Sequence, residues 1–236
     1  MTNPVDIKLG DRPKDAKLFA ITADIVSRLL RGRVPFLTIG SIAVFAYVGL
    51  AYRRPGDFDI VVRNEEFGLL RKLFEPDYPL VERLGFWQSS NSIFKIHIVI
   101  DGLKLLDLQR ERIVGGFDLR RWVETGSKET FQYLPEFDVL EIPVPPPEAL
   151  LVLTLLAPLG ANSLLDVAHL VTSRQIDVDL LRILIKQDAI AAALFQARLA
   201  QSISACCVPH SVLFLSAHQT LSAISATLFA ATDKLL

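Results

Sequence analysis

Two carboxylates two residues apart set the chemistry open to this chain. In Arg53-Arg-Pro-Gly-Asp-Phe-Asp-Ile-Val-Val62, Asp57 and Asp59 begin an apolar run that reads as a buried strand. Residues i and i+2 of a strand project from one face, so both acids point the same way. Like charges that close disfavour one another's ionised form unless a cation neutralises them. A third acid, Asp107, closes the run Leu103-Lys-Leu-Leu-Asp107. Gathering three carboxylates on an apolar sheet is untenable without cations. Magnesium suits such a set, because it prefers oxygen ligands and shares them with substrate phosphates. Two such ions would activate an attacking hydroxyl and steady a leaving pyrophosphate.

The elements that must position these acids are readable around them. Asp101-Gly102 lies between two alternating runs, which predicts a hairpin. In that register Ile100 faces Leu103, Ile98 faces Leu105 and Ile96 faces Asp107. His97 then takes the opposite face from Asp107 and reads as a structural histidine. Upstream, residues 33–40 form a short apolar strand ending in Gly40, and Ser41 opens an apolar helix for which it is a suitable N-cap. The N–H groups at such a helix start can meet a phosphate, and glycine allows its close approach. Gly40 and Ser41 are therefore candidate phosphate contacts, with Arg53 a candidate neighbour.

Residues 14–31 place Leu18, Ile21, Ile25 and Leu29 at helical spacing, and residues 64–75 read as a polar helix with acids first and bases last. Residues 110–145 are mixed: a basic helix or loop containing Arg110, Arg112, Arg120 and Arg121, read as a solvated face, and then a strand near 138–144. Pro143, Pro145, Pro146 and Pro147 form a stiff linker, and the chain beyond it is patterned for helices alone. The fold class expected is α+β: a small mixed β-sheet core flanked by helices over residues 1–145, then an all-helical C-terminal domain over 146–236.

Taken together, "IGSIAVFAYVGLAYRRPGDFDIVV" and the later "LLDLQ" resemble the DNA polymerase beta-like nucleotidyltransferase superfamily. The helical half resembles that of small stand-alone prokaryotic members, including nucleotidyltransferases of toxin–antitoxin and abortive-infection systems. The resemblance covers roughly residues 34 to 186. It implies a metal-dependent enzyme that moves a nucleoside monophosphate from an NTP to a hydroxyl on an RNA end, a protein or a small molecule. Asp57, Asp59 and Asp107 would bind metal and act in catalysis, while Gly40, Ser41 and Arg53 would contact the nucleotide's phosphates. Proline stands at 55 where threonine is usual, Ser41 where a second glycine is, and Thr154 where lysine is common. These departures leave a second reading, a catalytically silent nucleotide-binding or protein-interaction module on the same fold.

Composition narrows the setting. The chain has 236 residues, 51% hydrophobic and 22% charged, with a formal net charge of −1, so no global field draws it to nucleic acid or an anionic membrane. Two adjacent cysteines, Cys206 and Cys207, cannot build a disulfide framework and read as small buried hydrophobes, and the charged N-terminus is unlike an export signal. A cytoplasmic protein is expected. Residues 199–232 carry no charge but are interrupted by Pro209, two histidines and many hydroxyls. They read as an apolar helix pair docking a second copy or a partner protein, rather than as a membrane span. His210 and His218 lack carboxylates at ligand spacing, so no zinc site is expected there.

Overall fold

A computed structural model of the chain describes residues 12–75, 77–90, 95–107, 112–133, 138–157, 160–207 and 211–229. The chain divides into two units, Met1–Pro145 and Pro146–Leu236.

In the first unit, α1 (Arg12–Arg31) is followed by β1 (Leu37–Ile39), α2 (Gly40–Val48), β2 (Asp57–Val62) and α3 (Asn64–Phe74). Leu18, Ile21, Ile25 and Leu29 of α1 are all buried, as their spacing predicts. Then come β3 (Leu80–Arg83), β4 (Phe86–Ser90) and β5 (Lys95–Ile100), which join β1 and β2 in a five-stranded mixed sheet of order β1-β2-β5-β4-β3. Only the β2–β5 pair is parallel. Phe58 and Ile60 of β2, and Ile96 and Ile98 of β5, alternate onto a fully buried face. The opposite face receives Asp57, Asp59 and His97.

The hairpin expected at Asp101-Gly102 does not form. Both edges of β5 are taken, one by β2 and the other by β4, so a following strand has no ladder to join. The dipeptide does turn the chain. Asp101 adopts a left-handed φ of 62° and Gly102 a φ of 151°. The Asp101 N–H donates to the Val62 carbonyl, and its own carbonyl accepts from the Leu119 N–H. A side chain at Gly102 would strike the Phe117 carbonyl, so glycine is needed there. The turn delivers β6 (Gly102–Asp107) into a separate antiparallel ribbon with β7 (Arg112–Asp118), in which Asp107 pairs with Arg112 along the backbone. The facing pairs Ile100–Leu103, Ile98–Leu105 and Ile96–Asp107 are therefore not made. The basic stretch from 112 is likewise a strand before it becomes α4 (Arg120–Thr125), and β8 (Ser127–Phe131) and β9 (Leu140–Val144) form a second ribbon.

The second unit holds α5 (Pro147–Leu156), α6 (Ala161–Ser173), α7 (Val178–Ile185), α8 (Ala189–Cys206) and α9 (Val212–Phe229). Nearly every residue of α5 is buried, and it packs on α6, α7 and α8, as an all-round apolar helix must. Asp177 and Asp188 cap α7 and α8, Asp177 accepting from the Asp179 and Leu180 N–H groups and Asp188 from that of Ala191. Buried Glu148 accepts from the Asp177 N–H at 2.6 Å. The uncharged tail forms the expected helix pair, with α9 packed on α6, α7 and α8 through Ala217, Leu221, Ile224 and Leu228. Among the described residues α9 is the one helix long and apolar enough, by length and composition, to cross a membrane. Cys206 is buried as expected, but Cys207 is exposed and its Sγ lies 3.2 Å from Nδ1 of His218. His210 lies outside the described residues.

Candidate functional site

The site grows from the start of β2. The alternation of β2 buries Phe58 and Ile60 and leaves Asp57 and Asp59 half-buried on the other face. β5 runs parallel beside it with His97 in register with Asp59 and Lys95 in register with Asp57. The imidazole is thereby carried to both carboxylates. Its Nδ1 lies 2.8 Å from Oδ1 of Asp59 and 3.6 Å from Oδ2 of Asp57. Phe86, from β4, meets the imidazole edge-on with ring centroids 5.0 Å apart and limits its movement.

On the other side of β2, Ile39 of β1 pairs with Asp59, and the next residue, Gly40, opens α2. Gly40 has a φ of +69°, and a Cβ there would collide with Oδ2 of Asp59. The left-handed backbone favours glycine here, and any side chain would also displace the Asp59 carboxylate. Ser41 is not the N-cap that the sequence suggests. That place belongs to Ile39, which offers no side-chain cap, so the first-turn N–H groups of α2 lack one. The Ser41 Oγ is buried and has no hydrogen-bond partner among the described residues. A buried hydroxyl without a partner, at an uncapped helix start beside two acids, fits an incoming anion carried with a cation.

Electrostatics follow from this crowding. Burial, and next the charge of Asp59, push the Asp57 carboxyl up to about 6, against the opposing pull of His97, Arg53 and Lys95. For His97, burial acts to lower the pKa, but the hydrogen bond and charge of Asp59 and the charge of Asp57 outweigh it and the net shift is upward. Arg53 is buried, lies 5.7 Å from the Phe45 ring centre and donates to the Arg54 carbonyl at 3.1 Å. It is held inside the fold rather than on the surface.

One ligand atom each from Asp57, Asp59 and His97 lies within 4.8 Å of the others, a set that could hold a metal ion. Of the residues singled out in the sequence, the structure brings together Asp57, Asp59 and Gly40, with Ser41 next in the chain. The backbone of Asp107 ends β6, outside the five-stranded sheet, and its side chain lies outside the described residues. His97 lies beside Asp57 and Asp59, a neighbourhood that its reading as a structural histidine on the face opposite Asp107 did not include. That reading rested on the hairpin register. The available signal was a polar residue alternating within Ile96-His97-Ile98, on a strand able to pair with the one that bears the acids.

No protein-family model matches the sequence, and no characterised relative matches it. Among solved structures, the fold is similar to that of ANT(2")-Ia in complex with adenylyl-2"-tobramycin. The TM-score is 0.52 at 15% identity, over 77% of this chain and 98% of that one. A solution structure of the antibiotic-resistance factor ANT(2'')-Ia also aligns, at 13% identity and a TM-score of 0.43, over 94% of this chain and 96% of that one. The likeness is one of fold. The chain has a mixed α+β architecture, with a small mixed sheet flanked by helices followed by a helical C-terminal region.

Proposed function

We propose that the protein is a nucleotidyltransferase that transfers a nucleoside monophosphate from an NTP to a hydroxyl acceptor and releases pyrophosphate. The observation that carries this reading is the convergence of Asp57 and Asp59 on one sheet face, against the uncapped start of α2 at Gly40. A pair of half-buried acids with one carboxyl pushed up to about 6 calls for a cation, and an uncapped helix start calls for an anion. A divalent metal with a nucleotide triphosphate supplies both. Magnesium, as two ions held by Asp57, Asp59 and Asp107, would polarise the phosphoryl oxygens and lower the pKa of the acceptor hydroxyl.

The residues' own work is positioning and charge control. The N–H groups at the start of α2 and the Ser41 hydroxyl donate to the β- and γ-phosphates. Arg53, whose charge is felt at Asp57, offsets the build-up of negative charge as the leaving group departs. The acceptor oxygen attacks the α-phosphorus and forms the new P–O bond. The bond from that phosphorus to the β-phosphate bridging oxygen breaks, and pyrophosphate carries away the electron pair. The hydroxyl proton passes to a carboxylate, Asp107 in this reading, and from there to solvent.

For the acceptor, the fold neighbour bound to adenylyl-2"-tobramycin favours a small polyhydroxylated molecule. An RNA end or a protein side chain, the acceptors suggested by the toxin-like resemblance, are the other arms of the test. The experiment is pyrophosphate release from each NTP with Mg²⁺, offered an aminoglycoside, an RNA 3′ end and a protein mixture in turn. Acceptor-dependent release that disappears in Asp57→Asn supports the reading; none with any acceptor, in a protein that binds no NTP, removes it. A second reading, the silent module, is favoured by the His97 contacts, because a protonated imidazole within reach of both acids offsets one of their two negative charges without a metal. NTP binding indifferent to Mg²⁺ and to Asp57→Asn is its signature.

A further inference from the structure

We propose that His97 is a direct metal ligand, and that it makes the site select a transition-series divalent cation of the Mn²⁺ type over Mg²⁺. This rests on the metal site of the proposed function but changes both its ligand set and its metal. Three observations support it. His97 is placed by register rather than by chance: it stands opposite Asp59 on the parallel strand, so its side chain must project from the acid face. The nitrogen turned toward the acids is Nδ1, which meets Asp59 at 2.8 Å and Asp57 at 3.6 Å, so the atom able to bind a metal already lies among the carboxylate oxygens. The ring is braced by Phe86 at 5.0 Å, and the Asp59 carboxylate is held by its contact with the ring and occupies the space that a side chain at position 40 would need, so ligands from β2 and β5 are already brought together.

The chemistry of that donor set decides the metal. Mg²⁺ takes oxygen ligands and keeps much of its hydration shell, so an imidazole adds little to its affinity. Imidazole nitrogen binds first-row transition ions well, and two carboxylates keep the set hard enough for Mn²⁺. Two aspartates and one histidine therefore favour Mn²⁺ over Mg²⁺, whereas aspartates alone do not distinguish the two so strongly.

The test uses Mn²⁺ as the probe on the full chain, without nucleotide. Free Mn²⁺ is followed by electron paramagnetic resonance, and bound Mn²⁺ by electron spin echo modulation, which reads ¹⁴N of a ligating imidazole. The wild type is expected to bind Mn²⁺ at least tenfold more tightly than Mg²⁺ displaces it, with clear ¹⁴N modulation. His97→Gln is expected to abolish the modulation and remove most of the preference. The chain has four histidines, so a variant with His169, His210 and His218 all changed to Gln must keep the modulation if His97 is its source. Mn²⁺ bound without ¹⁴N modulation, or modulation lost in that triple variant, overturns the His97 assignment and leaves the carboxylate site standing. Tighter Mn²⁺ binding in His97→Gln overturns it too, because His97 would then be a competing cation. No Mn²⁺ binding by the wild type removes both this inference and the metal site of the proposed function.

Discussion

Nδ1 of His97 lies 2.8 Å from Oδ1 of Asp59, across two strands that run parallel and in register. The contact ties the central strand of the sheet to the strand bearing the acid pair. It also places an imidazole where the sequence suggests only carboxylates. Metal affinity, pH response and nucleotide binding should all register it.

Asp57 and Asp59 repel each other in the metal-free protein, so removing one charge should relieve strain while destroying the site. Asp57→Asn is expected to raise the melting temperature of the metal-free protein by about 2–4 °C, the equivalent of about 1 kcal/mol in a chain of this size. It should also weaken divalent-metal binding by at least about tenfold to a hundredfold, the loss that follows removal of even a ligand's outer-shell partner. Calorimetry with and without EDTA reads both effects on one sample.

The pH dependence of stability has an unusual sign. An unfolded Asp57 loses its proton near 3.8, whereas the folded one holds it to about 6. The native state thus binds more protons between those values, and this group's contribution to stability falls as pH rises through them. His97, raised above its ordinary 6.5, acts in the same direction at higher pH: its contribution is complete below 6.5 and is lost as pH climbs through the raised value. In EDTA, the melting temperature of wild type relative to Asp57→Asn should therefore decline steadily from pH 4 to 7. With saturating Mn²⁺ the order should reverse, since the metal binds the deprotonated groups. A difference that does not change with pH would show that Asp57 is not shifted.

How much of this was legible without coordinates depends on how local the signal was. The apolar stripe of α1, the strand–Gly40–helix passage and the same-face pair Asp57 and Asp59 follow from periodicity over a few residues, and each is present. The partner of β5 was not a local matter. Asp101-Gly102 carries a true turn signal, yet the strand after it cannot pair back, because β2 and β4 occupy both edges. With that register went the placement of His97. The N-cap slipped by two residues, from Ser41 to Ile39, because Gly40 can take the left-handed backbone that starts α2 early.

Gly40 and Ser41 should separate metal binding from nucleotide binding. Gly40→Ala forces an unfavourable backbone at about 1–2 kcal/mol and drives a methyl into Asp59 Oδ2, so it should weaken Mn²⁺ and NTP binding together. Ser41→Ala removes a buried hydroxyl that has no partner, so stability should hold or rise slightly. Its Mn²⁺ affinity should be unchanged and its NTP affinity about tenfold to a hundredfold lower, the loss of one hydrogen bond to a charged group at about 1.5–3 kcal/mol. Titration calorimetry with each ligand distinguishes the two patterns.

In the helical unit, α9 holds on through one stripe of side chains. Leu221→Ala, at a fully buried position, should cost about 2–4 kcal/mol, whereas Val212→Ala, 85% exposed, should change stability by less than about 0.5 kcal/mol. Urea unfolding followed by circular dichroism measures both. Comparable losses at the two sites would mean that Val212 is covered in solution, as the docking of a second copy on α9 would require.

The most direct test of the central claim is anomalous diffraction from crystals grown with Mn²⁺ and a non-hydrolysable NTP. The expected result is a manganese peak bonded to both Asp57 and Asp59, with the triphosphate lying against Gly40 and Ser41. A nucleotide bound elsewhere, or manganese absent from the aspartate pair at saturating concentration, would contradict it.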